Sequence, residues 1–152
     1  MAAINNRRPP AVLTGRRDAF ERQVWRVTVQ IVEDKLDADS DIHLVLFGHG
    51  GYLIAEMPAP ACLPATTRDR RAIVHARRVF ENRCGAASDA WKPLGAVAVI
   101  SGVGFWDFPH GQHGHARNYA ELHPLTGIRL ISGCRLKPVT RPRRQSAVPL
   151  DV

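Results

Sequence analysis

The chain of 152 residues is 45% hydrophobic and 23% charged, and its formal net charge at pH 7 is +7. This length and apolar content indicate one globular domain with a core of its own, which excludes a wholly disordered chain. No apolar run approaches the roughly 20 residues of a membrane helix, and the N-terminus lacks the apolar segment of a secretory signal. We therefore expect a protein without a membrane partner that is cytoplasmic by default, with export left open.

The positive charge lies in the two termini. Residues 1–20 contain four arginines and one aspartate, and residues 135–152 contain five basic residues and one aspartate, whereas residues 21–134 are neutral overall. Both termini are also rich in proline, which predicts flexible basic tails on either side of a single domain at 21–134. These tails are either solvated ends or arms that bind nucleic acid or another polyanion in a salt-sensitive way.

Hydrophobic periodicity predicts five strands and one helix. In the first strand Trp25, Val27, Val29 and Ile31 alternate with polar residues, which places the four on one face. The GHGG segment at residues 48–51 predicts a hairpin between the second and third strands. The predicted elements, in chain order, are Gln23–Glu33, Asp41–Phe47, Tyr52–Met57, a helix capped by Thr66 or Thr67 and ending at Cys84, Leu94–Phe108 and Glu121–Gly133.

This β-β-β-α-β-β order is that of an OB-fold, a small five-stranded barrel with one helix between its third and fourth strands. We therefore predict a mainly β fold with one helix, as a small OB-fold-like barrel. A β-sandwich fragment or another small barrel would have the same order of elements. Gly102 and Gly104 would permit a bulge or sharp curvature in the fourth strand.

Acidic and histidine side chains lie within otherwise apolar strands. Asp41 and His43 are two residues apart on the second strand, as are Glu121 and His123 on the last, so each pair shares one face. Glu56 interrupts the third strand. Carboxylates and imidazoles together suit a divalent ion and proton transfer near neutral pH. The alternative is that the buried pairs only satisfy loop backbones and fix the strand register.

The loop between the last two strands adds further candidates. Its HGQHGH tract, residues 110–115, is either a metal-binding segment or a flexible glycine turn in which His113 and His115 are solvent-exposed. Trp106, at its start, would serve as a base-stacking platform or as core packing. The predicted sites are, for catalysis, Asp41, His43, Glu56, His110, Glu121 and His123; for metal, Asp41, Glu121 and His123; and for binding, Trp106, Gln112 and Asn118.

Three cysteines are present, at positions 62, 84 and 134, without a CxxC pair, which makes a zinc site of the usual spacing a poor expectation. Cys62 and Cys84 flank the predicted helix. They are a candidate disulfide if the compartment permits one, and otherwise they are reduced cysteines of the core.

Four segments resemble a group of short, uncharacterised bacterial proteins that carry D-x-D-I-H-L-V-L early and F-x-H-G-Q followed by E-L-H-P late. The segments are DSDIHLVL, LIAEMPAPAC, GVGFWDFPHGQ and NYAELHP, and the resemblance spans Trp25 to Ile128. It implies membership of this group and no particular activity. Most of these relatives look exported, whereas this chain shows no signal peptide.

A second resemblance, of layout only, is to the staphylococcal-type nucleases. These OB-folds place an aspartate at the start of the second strand and acidic groups on and beyond the third, where they bind calcium and activate water. Asp41 and Glu56 stand at similar places, and His43 replaces a hydroxyl-bearing neighbour. The arginines that grip the phosphate in that family have no counterpart in the motifs here.

Two functions are compatible with these features. The first is an OB-like binding module for nucleic acid or another polyanion. The alternative is a metal-dependent hydrolase, similar to a phosphodiesterase or nuclease, that uses the His/Asp/Glu cluster and a divalent metal. A purely structural role for the cluster is a third interpretation. The chain has no GxGxxG, P-loop, HExxH or GxSxG motif, which argues against dinucleotide, NTP, zincin and serine-hydrolase functions.

Overall fold

The computed structural model describes residues 1–11 and 18–134. These residues form a mainly β fold with five strands, and a long helix lies between the third and fourth strands as predicted. The order differs from the prediction at its start, because a short helix precedes the first strand. The elements are α1 (Ala2–Asn5), β1 (Val24–Leu36), β2 (Ile42–Gly48), β3 (Gly51–Met57), α2 (Arg70–Cys84), β4 (Lys92–Trp106) and β5 (Ala120–Ser132), with 3-10 turns at Phe20–Arg22 and Pro60–Cys62.

The five strands form one sheet that closes into a barrel, in the order β1-β2-β3-β5-β4. Strand β1 pairs antiparallel with both β2 and β4, and its register shifts between Ile31 and Glu33. The closure depends on a short parallel pairing of β3 with β5, next to an antiparallel pairing of β4 with β5. Such shifts bend a strand and increase its twist, which lets 13 residues of β1 follow two neighbours around the barrel.

The barrel interior is filled by alternating apolar residues. Val27, Val29 and Ile31 of β1 are buried in the core, as the periodicity predicts, together with Leu44 and Leu46 of β2. Burying a side chain of this size stabilises the folded state by roughly 1.5–3 kcal/mol each. The helix α2 adds its own apolar stripe to the barrel, and its buried residues are Ile73, Ala76, Arg77 and Phe80.

The predicted curvature of β4 is present. The pairing of β4 with β5 shifts register on both sides of Gly102. A Cβ atom on Gly102 would come within 2.9 Å of the Leu122 side chain, and one on Gly104 would collide with the backbone oxygen of Phe20. Glycine at these two positions therefore allows close packing as well as a bend.

The prediction of a flexible tail at residues 1–20 is wrong for the part that the structure describes. Ile4 and Phe20 are fully buried in the barrel core. The Asn118 amide also donates hydrogen bonds to the backbone oxygens of Ile4 (2.9 Å) and Arg7 (3.0 Å). Burial of two large apolar side chains and these hydrogen bonds favour the ordered segment over the free tail that the composition predicts. Residues 12–17 and the predicted C-terminal tail, 135–152, lie outside the described residues.

The predicted disulfide is also wrong. Cys84 bonds to Cys134, and Cys62 is an exposed free thiol in the described part of the chain. The helix explains the difference, because 15 residues of α-helix are about 22 Å long and separate its two ends. The C-terminal end of α2 instead lies beside the end of β5.

Within the described ranges, no helix is long and apolar enough to cross a membrane.

Candidate metal centre

The outer face of β2 and β3 lies between two loops. The β1–β2 loop, residues 37–41, borders it on one side, and the β4–β5 loop, residues 107–119, lies over the other. Val45 on the outer face of β2 is fully buried, because Gly114 of the β4–β5 loop packs against it. A cavity of about 660 Å³ opens beside these elements, and residues of both loops, of β2 and of β3 line it.

The strand register brings three of the predicted residues together. His43 of β2 lies directly opposite Glu56 of β3. In the parallel pairing of β3 with β5, Ile54 lies beside Glu121 and Ala55 beside Leu122, so the next step sets His123 beside Glu56. Glu56 therefore has a histidine on each side, one from each neighbouring strand.

Side-chain contacts link these residues to two aspartates of the β1–β2 loop. The Nδ1 atom of His123 lies 2.6 Å from Glu56 Oε2, and the Nδ1 atom of His43 lies 3.6 Å from Glu56 Oε1. His43 Nδ1 is also 3.2 Å from Asp37 Oδ2, and His123 Nε2 is 3.9 Å from Asp41 Oδ2. We refer to Asp37, Asp41, His43, Glu56 and His123 as the outer-face site.

Glu56 is the charged centre of the outer-face site. Burial acts to raise the pKa of its carboxyl group, but hydrogen bonds from His123 and then His43 outweigh that effect and lower the pKa to about 2. The carboxylate is therefore ionised at neutral pH, which suits it as a hydrogen-bond acceptor or as a metal ligand.

Asp41 connects the outer-face site to the loop that follows β3. Its Oδ1 atom accepts a hydrogen bond from the Ala59 backbone N–H at 2.9 Å, and its own backbone N–H donates to Asp39 Oδ1 at 3.0 Å. Burial raises the pKa of Asp41, while the bond from Ala59 acts in the opposite direction. One oxygen of the Asp41 carboxylate thus holds the backbone of the loop after β3, which is the purely structural role considered above. The other oxygen faces His123.

Arg77 of α2 holds the backbone on both sides of the site. Its Nη1 atom donates to the backbone oxygens of Ser40 (2.8 Å) and Met57 (3.0 Å), the neighbours of Asp41 and Glu56 in the chain. Glu81 pairs with the same guanidinium at 2.9 Å. The sequence assigned Arg77 only to the helix stripe, whereas the structure makes it a positioning residue for two site carboxylates.

Glu121 lies beneath the β4–β5 loop with only 2% of its surface exposed. Burial raises the pKa of its carboxyl group to about 9, and the charges of Glu56 and Asp107 act in the same direction. Gln112 of the loop hydrogen-bonds to it, and Glu121 Oε1 has no hydrogen-bond partner among residues 1–11 and 18–134. Glu121 is therefore a neutral buried acid at pH 7.

Two groups of potential ligands have their atoms within 4.8 Å of one another in the described part of the chain. They are Asp37, His43 and Glu56, and Asp41, Glu56 and His123. Glu121, a predicted metal ligand, belongs to neither group. His110 lies on the rim of the cavity, where its Nδ1 atom is 2.7 Å from the Phe108 backbone oxygen and 3.2 Å from Asp107 Oδ2.

The predicted binding residues have different positions. Trp106 is 3% exposed and packs on the Phe20 ring at 4.7 Å between centroids, so it cannot stack on a base. Asn118 holds the N-terminal backbone, as described above, and serves the fold. Gln112 does line the cavity.

Sequence reasoning missed two residues of this face, Trp91 and Asp37. Trp91 is 37% exposed, and its ring lies 5.3 Å from that of His43 and 5.2 Å from that of His113. Its place in the polar segment SDAWKP, away from any apolar run, is a signal that could have found it. Asp37 belongs to the acidic segment DADSD just before β2, which offered a similar signal.

Comparison with protein-family models, curated proteins and solved structures finds no match to this chain. The resemblances to the bacterial group and to the staphylococcal-type nucleases stay predictions.

Proposed function

We propose that this protein is an OB-class domain that binds a divalent transition-metal ion and hydrolyses phosphodiesters with it. The observation that carries the proposal is the convergence of Asp41, Glu56 and His123 on one face of the barrel, from the β1–β2 loop, β3 and β5. The three side chains are far apart in sequence, and their ligand atoms lie within 4.8 Å of one another.

The position of the outer-face site supports the OB class. Ligands of OB-folds bind on the face of strands 2 and 3, between the β1–β2 and β4–β5 loops. Asp37, His43 and Glu56 of the outer-face site line a cavity on the corresponding surface here. The strand order β1-β2-β3-β5-β4 and the helix between β3 and β4 support the same assignment.

The ligand atoms favour a transition-metal ion that accepts both nitrogen and oxygen ligands, such as Zn²⁺ or Mn²⁺. Imidazole nitrogens suit transition metals, whereas Ca²⁺ and Mg²⁺ prefer oxygen ligands alone. Glu56 Oε2 lies against His123 Nδ1, and Asp41 Oδ2 lies on the Nε2 side of the same ring. Carboxylate and imidazole donors therefore fit such an ion.

In such sites a divalent ion lowers the pKa of bound water and polarises a phosphoryl oxygen. The balanced reaction adds a water oxygen to phosphorus, breaks the ester P–O bond and leaves a proton on the departing oxygen. Asp37, Asp39, Asp41 and Glu56 make the face acidic, with Lys35 nearby. An acidic face repels a phosphodiester, so we expect substrate binding as well as turnover to require the ion.

Metal-stripped protein tests the proposal. We expect hydrolysis of bis(p-nitrophenyl) phosphate and of single-stranded DNA or RNA after addition of Zn²⁺ or Mn²⁺. Asp41→Asn and His123→Ala should each lower the rate by about 100-fold. His75→Ala, an exposed histidine on α2, is the matched control and should keep the rate. Metal binding without any turnover would contradict the hydrolase.

A binding module without turnover is the second candidate, and Trp91 favours it. Its exposed ring borders the cavity, where Lys35 Nζ lies 5.6 Å from the ring centroid. An aromatic platform beside a cation suits a stacked base of a single-stranded nucleic acid, worth about 1–3 kcal/mol per base. Trp91→Ala should then weaken oligonucleotide binding by about 10-fold or more, whereas Phe108→Ala, an exposed aromatic residue outside the cavity lining, should not.

A further inference from the structure

We infer that the outer-face site holds two divalent ions, bridged by the carboxylate of Glu56. The inference rests on the proposed function and deepens it, because it assigns a second ion to Asp37 and His43. An ion held by Asp41, Glu56 and His123 leaves the second ligand group, Asp37, His43 and Glu56, unoccupied. His43 lies against the other oxygen of Glu56, and Asp37 faces the same ring nitrogen of His43, Nδ1.

The two halves of the site have the same composition. Each half contains one aspartate of the β1–β2 loop, one histidine of a strand beside β3 and one oxygen of Glu56. In the first half His123 lies against Glu56 Oε2 and faces Asp41, and in the second His43 lies between Glu56 Oε1 at 3.6 Å and Asp37 Oδ2 at 3.2 Å. The strand register, with His43 opposite Glu56, produces this arrangement.

His43 supplies an observation independent of the acidic residues. Its side chain is 5% exposed, and its Nε2 atom has no hydrogen-bond partner among residues 1–11 and 18–134. A buried polar nitrogen without a partner costs free energy, and nothing on that side fixes the proton of the ring. An ion between Asp37 and Glu56 would take the lone pair of Nδ1, and the ring proton would then lie on Nε2.

The charge of the region also favours cations. The outer-face site contains three carboxylates, and Lys35 Nζ already lies 3.3 Å from Asp37 Oδ1. The other oxygen of Asp37, Oδ2, faces His43. A carboxylate whose two oxygens bind two ions about 3.5–4 Å apart is a common bridge in phosphatases and nucleases, where the ion pair clamps the attacking and leaving oxygens.

The full chain titrated with Mn²⁺ tests this inference without an activity assay. We expect two bound ions per chain by equilibrium dialysis and an exchange-coupled signal by electron paramagnetic resonance. Asp37→Asn should reduce the stoichiometry to one ion and remove the coupling. Asp37 is partly exposed, so the variant should fold, and circular dichroism checks this. Asp69→Asn, an exposed aspartate beside α2, is the matched control and should keep two ions.

The outcomes separate this inference from the proposed function. One ion per chain, unaffected by Asp37→Asn and lost in Asp41→Asn, would overturn the bridged pair and leave the proposed metal site intact. Two ions without exchange coupling would overturn the bridge. Absence of any bound ion would refute both.

Discussion

The buried carboxyl group of Glu121 should make the stability of the folded protein depend on pH. A single substitution should remove this dependence. Its pKa is about 9 in the folded protein against 4.5 in an exposed glutamate, with burial as the main cause. Between these two values the folded state binds one more proton than the unfolded state. Stability is therefore highest below pH 4.5 with respect to this group, and it falls as the pH rises toward 9.

The slope follows from linkage. One proton corresponds to about 1.4 kcal/mol per pH unit, so this group should lower the free energy of unfolding by roughly 2.7 kcal/mol between pH 5.5 and 7.5. Solvent screening is weak, because the residue is 2% exposed. Glu56 affects stability in the opposite direction and in a different pH range. Because its pKa in the folded protein is about 2, its carboxylate stabilises the fold at neutral pH, and this stabilisation is lost only as the pH falls below 4.5.

Urea unfolding of the wild type and of Glu121→Gln, in EDTA across this pH range, measures the effect. Glutamine has the shape of the protonated acid and does not titrate, so the stability difference between the two proteins should grow by roughly 2.7 kcal/mol from pH 5.5 to 7.5. The difference cancels the contributions of other groups, and Asp69→Asn serves as a control substitution of carboxylate by amide. Parallel profiles for wild type and Glu121→Gln would refute the raised pKa.

Three further substitutions test contacts that hold the fold together, two beside the outer-face site and one at the disulfide. Arg77→Ala removes the donor to the buried backbone oxygen of Met57 and to the partly buried one of Ser40. It should lower the free energy of unfolding by about 2–4 kcal/mol in urea titrations. Gly114→Ala should cost about 1–3 kcal/mol, because φ is +77° and a Cβ atom would lie 2.5 Å from Val45 Cγ1. Cys134→Ala should cost about 4 kcal/mol, the loop entropy of a disulfide to Cys84 across 50 residues.

Each of these changes has a matched control. His75→Ala truncates an exposed residue of the same helix as Arg77, and an equal loss of stability would contradict the positioning role. Gly111→Ala has a similar φ of +78° and no atom within 4 Å of the added Cβ, so it should cost less than Gly114→Ala. Dithiothreitol should destabilise the wild type and leave Cys134→Ala unchanged. A response of that variant to the reductant would contradict the assigned pairing.

The local pattern of the sequence determined which segments are strands and which is the helix. Alternation of apolar residues in β1 and the glycine-rich hairpin after β2 depend on near neighbours only, so they are visible without a structure. The same holds for the unusual placement of His43 and Glu56 in apolar strands. The sequence singles out these residues, because a buried polar side chain contradicts the apolar pattern around it.

Only the tertiary structure decided which of these side chains meet. The parallel pairing of β3 with β5 sets Glu56 between His43 and His123, and a shift of one residue would turn these side chains to the other face. Long-range packing also determines that Cys84 pairs with Cys134. It likewise buries part of the N-terminal segment that the composition assigned to a flexible tail. Propensity and periodicity are local properties, whereas register and barrel closure depend on contacts between residues distant in sequence, which no local pattern encodes.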